Sequence, residues 1–221
     1  MTETLVYLAR HGEAETNVQP GMVAGLSLES PPTTKGLKQA STLGKHLKRI
    51  NLLPQLVASS RAERAKQTAR LALDTMGRKG QIAQEDDRLN EMSQGGWEGK
   101  ERSSEYSTLA RQGIEAEGID FKITHPEGDG GSRRDVAEGM LSWLEEARSE
   151  AQTIFVVSHR VAITCLLAAI DGWPADAWGY DSFAKLTAPH GNTTVTGLQF
   201  KNRRWYTLFR ARRPEELSRI A

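Results

Sequence analysis

The stretch "TLVYLARHGEAETN" (residues 4–17) begins as an apolar strand and ends as a polar loop. Its first six residues are rich in β-formers, and continuous apolarity is typical of a strand that is covered on both faces, as in a parallel sheet. Arg10 and His11 follow directly, where this strand should end. Ligands of open α/β sheets bind outside the carboxyl ends of the strands, so this pair marks a candidate site.

The same pattern of an apolar run that ends in small or polar residues returns in "LVAS" (56–59) and "TIFVVSH" (153–159). Apolar residues recur at helical spacing between these runs, which predicts helices over 33–50, 62–76 and 133–149. Strands that alternate with helices predict an α/β fold: a single-domain three-layer α/β/α arrangement over 1–221, with a mostly parallel sheet flanked by helices. The chain should close with a strand pair, "NTTVTGLQF" and "RRWYTLF", joined by "KN". Residues 113–132 are predicted to form a loop over one end of the sheet.

Composition narrows the class of protein. The 221 residues favour one domain, and 29 Lys and Arg against 28 Asp and Glu give a net charge of +1, which would not recruit nucleic acid or an anionic membrane. Cys165 is the only cysteine and lies in the apolar run 161–170, which is too short to span a membrane and favours a buried thiol. "LVYLA" is too short for the core of a signal peptide. We therefore expect a cytoplasmic protein without nucleic-acid or membrane partners. The sequence leaves open whether it forms a homodimer.

His11 and His159 each follow a predicted strand directly. They meet at one edge of the sheet if the two strands are parallel neighbours, although each histidine alone is also compatible with a structural role. An Arg-His pair suits an oxyanion with a reactive centre, because guanidinium binds oxygens as a planar fork while imidazole attacks as a nucleophile. The chain has no HExxH motif or His/Cys cluster, and Arg10 is a poor neighbour for a metal cation, so we expect no metal and no cofactor.

"LARHGEAETN" resembles the RHG signature of the histidine phosphatase superfamily, the phosphoglycerate-mutase-like group. Three further segments resemble elements of that family in the family's order: "SSRAERAKQTA" (59–69), "LNEMSQGGWEG" (89–99) and "VVSHR" (156–160). The four segments span nearly the whole chain, so the resemblance implies the family's phosphoglycerate-mutase-like fold as well as its chemistry.

The resemblance also implies roles for individual residues. His11 would be the nucleophile that becomes phosphohistidine, and Glu91 would be the proton donor and acceptor. Arg10, Arg64 and His159 would grip the phosphoryl oxygens, and Asn17 would add a hydrogen bond. Positive groups on the oxygens account for most of the catalysis in phosphoryl transfer, so two arginines and a histidine could replace a metal.

The sequence departs from the family's pattern at Arg160, where glycine is usual, and in residues 18–32, which lack the usual Arg-x-Gln-Gly pattern. We expect Arg160 to contact substrate. Further candidates for contacts beyond the phosphate are Arg133, Arg134, Tyr106, His125 and His190.

Residues 100–135 are compact, and "PEGDGGSRRDV" (126–136) looks like a segment of the family's phosphatases rather than the longer insertion of its mutases. The sequence therefore favours hydrolysis of a small phosphomonoester, such as a sugar phosphate or a phosphoglycerate-type compound. A cofactor-dependent phosphoglycerate mutase and a non-catalytic phosphate-binding regulatory protein are the alternatives.

Overall fold

The computed structural model describes residues 3–19 and 21–219, which form a mixed six-stranded sheet flanked by helices. The strands are β1 (Thr4–Arg10), β2 (Leu56–Ser59), β3 (Gln84–Glu85), β4 (Thr153–Ser158), β5 (Val195–Lys201) and β6 (Arg204–Arg212). The α-helices are α1 (Thr34–Arg49), α2 (Glu63–Met76), α3 (Ser104–Glu117), α4 (Arg133–Glu150), α5 (Arg160–Ile170) and α6 (Tyr180–Thr187). None of the helices in this part of the chain is long and apolar enough to cross a membrane.

The strand order is β3-β2-β4-β1-β5-β6. The first four strands in this order run parallel to one another, and β5 and β6 add an antiparallel pair at the β1 side. The predicted α/β fold with a mostly parallel sheet is confirmed. The single domain over 1–221 stays a prediction, and residues 1, 2, 20, 220 and 221 lie outside the described residues.

Helices cover both faces of the sheet, which explains why its central strands are apolar throughout. On one face, Val6, Leu8 and Val156 pack with residues of α4 and α5. On the other face, Ala9 and Val157 pack with residues of α1 and α2. Alternate residues of β1 therefore enter opposite layers, as the two-residue repeat of a strand requires.

The loop after β1 leads into α1 through a close backbone approach. Thr33 caps α1 by accepting a hydrogen bond from the backbone N–H of Gly36 at 3.0 Å. A Cβ on Gly12 would lie 2.5 Å from the Gly36 carbonyl oxygen, so both positions need glycine. This contact fixes the path of the chain immediately after His11.

The structure corrects several details of the sequence-based predictions. Residues 113–117, predicted as loop, are the last part of α3, and the irregular segment begins only after a further 3-10 turn at 118–120. The helices α3, α5 and α6 and the two-residue strand β3 were not predicted. The hairpin turn lies one residue later than expected, at Asn202 and Arg203, where both φ angles are positive (51° and 64°) as in a type I′ turn.

Candidate active site

His11 and His159 meet at the carboxyl edge of the sheet. Their strands, β1 and β4, are parallel neighbours in which Arg10 is paired with Ser158, so the two histidines that follow stand at the same level. The backbone N–H of His11 donates to the carbonyl of Ser158 at 3.0 Å. The ring centroids of the two histidines lie 5.0 Å apart. The two histidines therefore share one edge of the sheet, because their strands are parallel neighbours as the sequence-based prediction required.

The imidazole of His11 is held in one tautomer. Its Nδ1 lies 2.6 Å from the carbonyl oxygen of Gly12, and a carbonyl only accepts, so Nδ1 carries the proton and Nε2 keeps its lone pair. Burial lowers the pKa of His11 well below its usual value, and the charges of Arg10 and Arg64 lower it further. The ring is therefore neutral at physiological pH, as a nucleophile must be.

Arg64 lies in the first turn of α2 and is 2% exposed. Its guanidinium donates to the carbonyl oxygens of Ser27 at 2.7 Å and Leu26 at 2.9 Å, and its Nη2 lies 3.3 Å from Nδ1 of His159. Arginine cannot accept, so Nδ1 of His159 accepts and its Nε2 donates to Ser60 Oγ at 2.6 Å. Burial and the charge of Arg64 lower the pKa of His159 well below its usual value.

Arg10, at the end of β1, is 4% exposed. Its Nη1 donates to the carbonyl oxygen of His190 at 3.0 Å, while its Nε is buried with no hydrogen-bond partner among the described residues. A buried donor without a partner costs roughly 1–3 kcal/mol, which calls for a functional explanation. Burial lowers the pKa of Arg10 to about 10, helped by the charge of Arg160, so the guanidinium stays cationic at neutral pH.

The carboxylate of Glu91 contacts the N-terminus of α5. Its carboxylate accepts hydrogen bonds from the backbone N–H groups of Val161 at 3.1 Å, Ala162 at 3.0 Å and Met92 at 2.9 Å. These hydrogen bonds favour the ionised form, as the positive end of a helix does. Burial has the larger effect and raises the pKa of Glu91 above its usual value. The carboxyl is therefore poised to exchange a proton.

Asn17 is exposed, and its Oδ1 accepts from the backbone N–H of Ala14 at 3.0 Å. Asn192 was not predicted from the sequence, and its Nδ2 donates to the carbonyl of His11 at 3.1 Å and to Oδ1 of Asn17 at 3.3 Å. Asn192 precedes β5, which runs antiparallel to β1 and so begins at the edge where β1 ends. That topology is the signal that could have indicated Asn192.

Glu98 is a second residue without a predicted role. Its carboxylate accepts from the backbone N–H groups of Leu26 at 3.0 Å and Ser27 at 3.3 Å, the residues whose carbonyls accept from Arg64. It also accepts from the backbone N–H of Gln94 at 2.8 Å. The segment 25–27 is thus held between Glu98 and Arg64, and Glu98 helps to position the guanidinium.

A cavity of about 650 Å³ opens at this edge of the sheet. Six of the predicted site residues line it: Arg10, His11, Asn17, Arg64, Glu91 and Arg160. His159 is fully buried and stands behind Arg64 instead. The structure thus brings the predicted catalytic groups together, while a direct contact of His159 with the phosphoryl group stays a prediction.

The further candidates for substrate contacts divide into two groups. Tyr106 and Arg133 line the cavity, and Asn192 joins them there. Arg134 pairs with Asp120, and His125 packs against Trp97 with a ring-centroid distance of 4.9 Å. Neither of these two, nor His190, is part of the cavity lining.

Within 3–19 and 21–219, no three His, Cys, Asp or Glu side chains are grouped so that they could hold a metal ion. The charges that act most strongly on His11 belong to Arg10, Arg64 and Arg160, which suit an anion. Independence from metals stays a prediction that an assay has to test.

Most of the chain matches a known family. The profile of the histidine phosphatase superfamily (branch 1) covers residues 6–211, and the chain belongs to that superfamily. Adenosylcobalamin/alpha-ribazole phosphatase from Escherichia coli K12 is 33% identical over 182 residues, which are 78% of this chain and 81% of the relative.

Mutases are also among the relatives. The 2,3-bisphosphoglycerate-dependent phosphoglycerate mutase of Bartonella quintana is 27% identical over 176 residues, covering 78% of this chain and 83% of that protein. The crystal structure of phosphoglycerate mutase from Bacillus anthracis superposes with a TM-score of 0.78, over 99% of this chain and 97% of that one, at 18% identity. The phosphoglycerate-mutase-like fold predicted from the sequence is confirmed, and phosphatases and mutases both remain within the family's range.

Proposed function

We propose that this protein is a metal-independent phosphatase that hydrolyses a phosphomonoester through a phosphohistidine on His11. The observation that carries the proposal is the hydrogen bond between Nδ1 of His11 and the Gly12 carbonyl, which leaves the lone pair on Nε2 of a ring that lines the cavity together with Arg10 and Arg64. A neutral imidazole surrounded by guanidinium groups fits in-line attack on a tetrahedral dianion.

The reaction has two steps. Nε2 of His11 forms a bond to phosphorus while the bond to the ester oxygen breaks, and protonated Glu91 gives its proton to the leaving alkoxide oxygen. A water molecule then attacks the phosphohistidine and gives its proton to the Glu91 carboxylate. Inorganic phosphate leaves, Nε2 regains its lone pair, and Glu91 is protonated for the next cycle.

The positive groups have separate tasks in this scheme. The unpartnered Nε of Arg10 is a donor for a phosphoryl oxygen, and Arg64 stabilises the charge on the same group. Asn17 offers its amide N–H groups, because its oxygen already accepts from Ala14. Arg160, exposed at the first position of α5, contacts the substrate beside the phosphate. The incoming dianion raises the pKa of Glu91 further and so keeps it protonated for the first step.

The test measures hydrolysis of p-nitrophenyl phosphate in EDTA and traps radiolabelled phosphoenzyme by rapid denaturation. His11→Ala should lose activity by at least about 10⁴-fold and should form no phosphoenzyme. His46→Ala, a histidine on α1 outside the cavity, is the matched control and should retain both. Full activity in His11→Ala, or a requirement for added metal, would end the proposal.

The alternatives give different results in the same preparation. The mutase alternative, which the Bartonella relative supports, predicts isomerisation of 3-phosphoglycerate stimulated by 2,3-bisphosphoglycerate and faster than hydrolysis. The regulatory alternative predicts phosphate binding without a labelled intermediate or turnover. A small phosphorylated metabolite as partner is part of our proposal, whereas the absence of nucleic-acid and membrane partners, the homodimer and the cytoplasmic location stay predictions.

A further inference from the structure

Beyond the charged groups, the cavity is lined mainly by apolar and aromatic side chains. They come from α3, α6, the start of α5 and the irregular segments near 22 and 121: Met22, Val23, Tyr106, Ala110, Ile114, Phe121, Ile123, Val161, Tyr180 and Phe183. Four of these are aromatic rings. A pocket of about 650 Å³ is large enough for a ligand of many atoms, since such pockets measure about 300–1,000 Å³. The phosphoryl group would fill only one end of it.

Two polar groups among these walls, those of Tyr106 and Arg133, are already engaged with the protein. The hydroxyl of Tyr106 donates to Oε1 of Gln94 at 2.7 Å. The guanidinium of Arg133 donates to the carbonyl oxygen of Ala177 at 2.7 Å and lies 3.8 Å from the ring centroid of Phe183. Sites that select a hydroxylated substrate offer it hydrogen-bonding groups, because a buried polar group without a partner is costly. Tyr106 and Arg133 face protein partners instead, so Tyr180, whose hydroxyl has no hydrogen-bond partner among the described residues, is the main polar group that this wall offers to a substrate.

Arg102 also lines this end of the cavity. It is exposed, and its guanidinium carbon lies 5.2 Å from the ring centroid of Tyr106. A cation over the face of an aromatic ring is stable without an acidic partner. Arg102 is therefore accounted for by the Tyr106 ring and does not by itself require a second anionic group on the substrate.

We infer that the substrate's leaving group is an apolar alcohol, alkyl or aryl, that fills the wall formed by α3 and α6, in preference to a sugar or a glycerate. This inference rests on the proposed function, because it assigns the part of the ester that leaves when His11 takes the phosphoryl group. The sugar phosphate or phosphoglycerate that the sequence favours would instead need free hydrogen-bonding groups at this end of the cavity.

A series of straight-chain alkyl phosphates, from ethyl to octyl, tests the inference. The leaving alkoxides have nearly the same basicity, so differences in kcat/KM report how the chain is bound and not how easily the bond breaks. We expect kcat/KM to rise by roughly fourfold per buried methylene until the chain fills the cavity. Hexyl phosphate should exceed glucose 6-phosphate and 3-phosphoglycerate by at least roughly tenfold.

A variant of the wall tests where the chain lies. Ile114→Asn on α3 should lower kcat/KM for hexyl phosphate by roughly tenfold and leave ethyl phosphate within about twofold. Leu109→Asn is the matched control, because Leu109 lies on the same helix, is 36% exposed and does not line the cavity. The inference would be overturned if kcat/KM of the wild-type protein did not change with chain length. A preference for 3-phosphoglycerate over hexyl phosphate would overturn it as well.

Binding of alkylphosphonates separates this inference from the proposed function, since the carbon–phosphorus bond is not hydrolysed. Calorimetry should show Kd falling by roughly fourfold per methylene in wild-type protein and in His11→Ala alike. A protein that binds the series in this way but hydrolyses nothing would refute the phosphatase and keep the apolar pocket. A protein that hydrolyses every monoester equally, and whose Kd for the phosphonates does not change with chain length, would refute the apolar leaving group and keep the phosphatase.

Discussion

The two ends of the cavity are built in different ways. At the charged end, four of the proposed catalytic side chains lie at strand ends or helix starts: Arg10 ends β1, His11 and His159 follow β1 and β4, and Arg64 lies in the first turn of α2. Their backbones are held by the sheet, as in the bond from His11 N–H to the Ser158 carbonyl. At the apolar end, the lining comes from α3, α6 and irregular segments that lie outside the sheet.

Combined with the proposed function, this difference predicts that the reaction and the choice of substrate are carried by separate parts of the molecule. A sheet edge holds catalytic groups within the small tolerances that phosphoryl transfer requires. Helices and loops outside the sheet can exchange side chains without disturbing those positions. Arg111 on α3 and Asp181 on α6 join the two outer helices by a two-fold hydrogen bond, at 2.8 and 3.2 Å, so this end also has a defined shape. Variants at the charged end should affect all substrates, and variants at the apolar end should affect only large ones.

The largest effect after loss of the nucleophile is expected for Glu91→Gln. Glutamine cannot give a proton to the leaving oxygen, so kcat for alkyl phosphates should fall by about 10²–10⁴. p-Nitrophenyl phosphate, whose leaving phenolate needs little protonation, should lose much less in the first step. Single-turnover formation of the phosphoenzyme with both esters measures the difference.

Glu13→Gln is the matched control for this experiment. Glu13 also lines the cavity, but its carboxylate is paired with Lys35 at 2.7 Å. That variant should leave the ratio between the two esters unchanged. Equal losses for alkyl and p-nitrophenyl phosphate in Glu91→Gln would mean that Glu91 only supports the start of α5.

A smaller loss is expected for Arg64→Ala. Removal of one preorganised donor typically costs about 10²–10³ in rate, and we propose that Arg64, which lines the cavity, stabilises the phosphoryl group, so kcat/KM should fall by this factor for every alkyl phosphate in the series. Arg70→Ala, at an exposed position of the same helix, is the control. A loss that grows with chain length would contradict the separation of the two ends and place Arg64 in the recognition of the leaving group.

The charged end could be predicted almost completely from the sequence. The apolar runs of β1, β2 and β4 are buried on both faces, and such runs carry a strong signal that ends at a definite residue. His11 and His159 follow their runs directly, so their common edge was predictable once the strands were taken as parallel neighbours. The position of Glu91 on the N-terminus of α5 was not predictable, because it depends on the packing of a loop against a helix far away in the sequence.

The apolar end was largely missed, for a physical reason. Only Tyr106 and Ala110 of α3 are buried, because the rest of this helix faces solvent or the cavity. Gly113 also lies within the helix and weakens the helical signal in the sequence. A helix that buries so little has no clear apolar stripe, and α6 has only 8 residues. Surfaces that line a cavity need not follow the periodicity of the core, so their elements are the hardest to predict.

The smallest effect concerns stability and comes from His190, whose backbone carbonyl accepts from Arg10 at the charged end. Burial, together with the nearby charges of Arg210 and Arg10, lowers the pKa of His190 to about 4. The unfolded chain binds this proton near pH 6.5, whereas the folded protein binds it only near pH 4, so between these values the unfolded state holds more protons. The contribution of His190 to stability is therefore complete above pH 6.5 and is lost as the pH falls, by at most about 1.4 kcal/mol per pH unit.

His190→Gln should remove this dependence. Urea unfolding at pH 7.5 and 5.5 should show a free energy of unfolding that drops by about 1.4 kcal/mol less in the variant than in the wild-type protein. Glu91, whose pKa burial raises, acts in the opposite sense and stabilises the folded protein on acidification, but it is present in both proteins and cancels from the difference. The carbonyl of His190 that accepts from Arg10 belongs to the backbone, so kcat/KM at pH 7.5 should stay within about threefold of the wild-type value. If the variant loses as much stability on acidification as the wild type, the low pKa of His190 is wrong and the acid sensitivity must come from the two histidines at the strand ends.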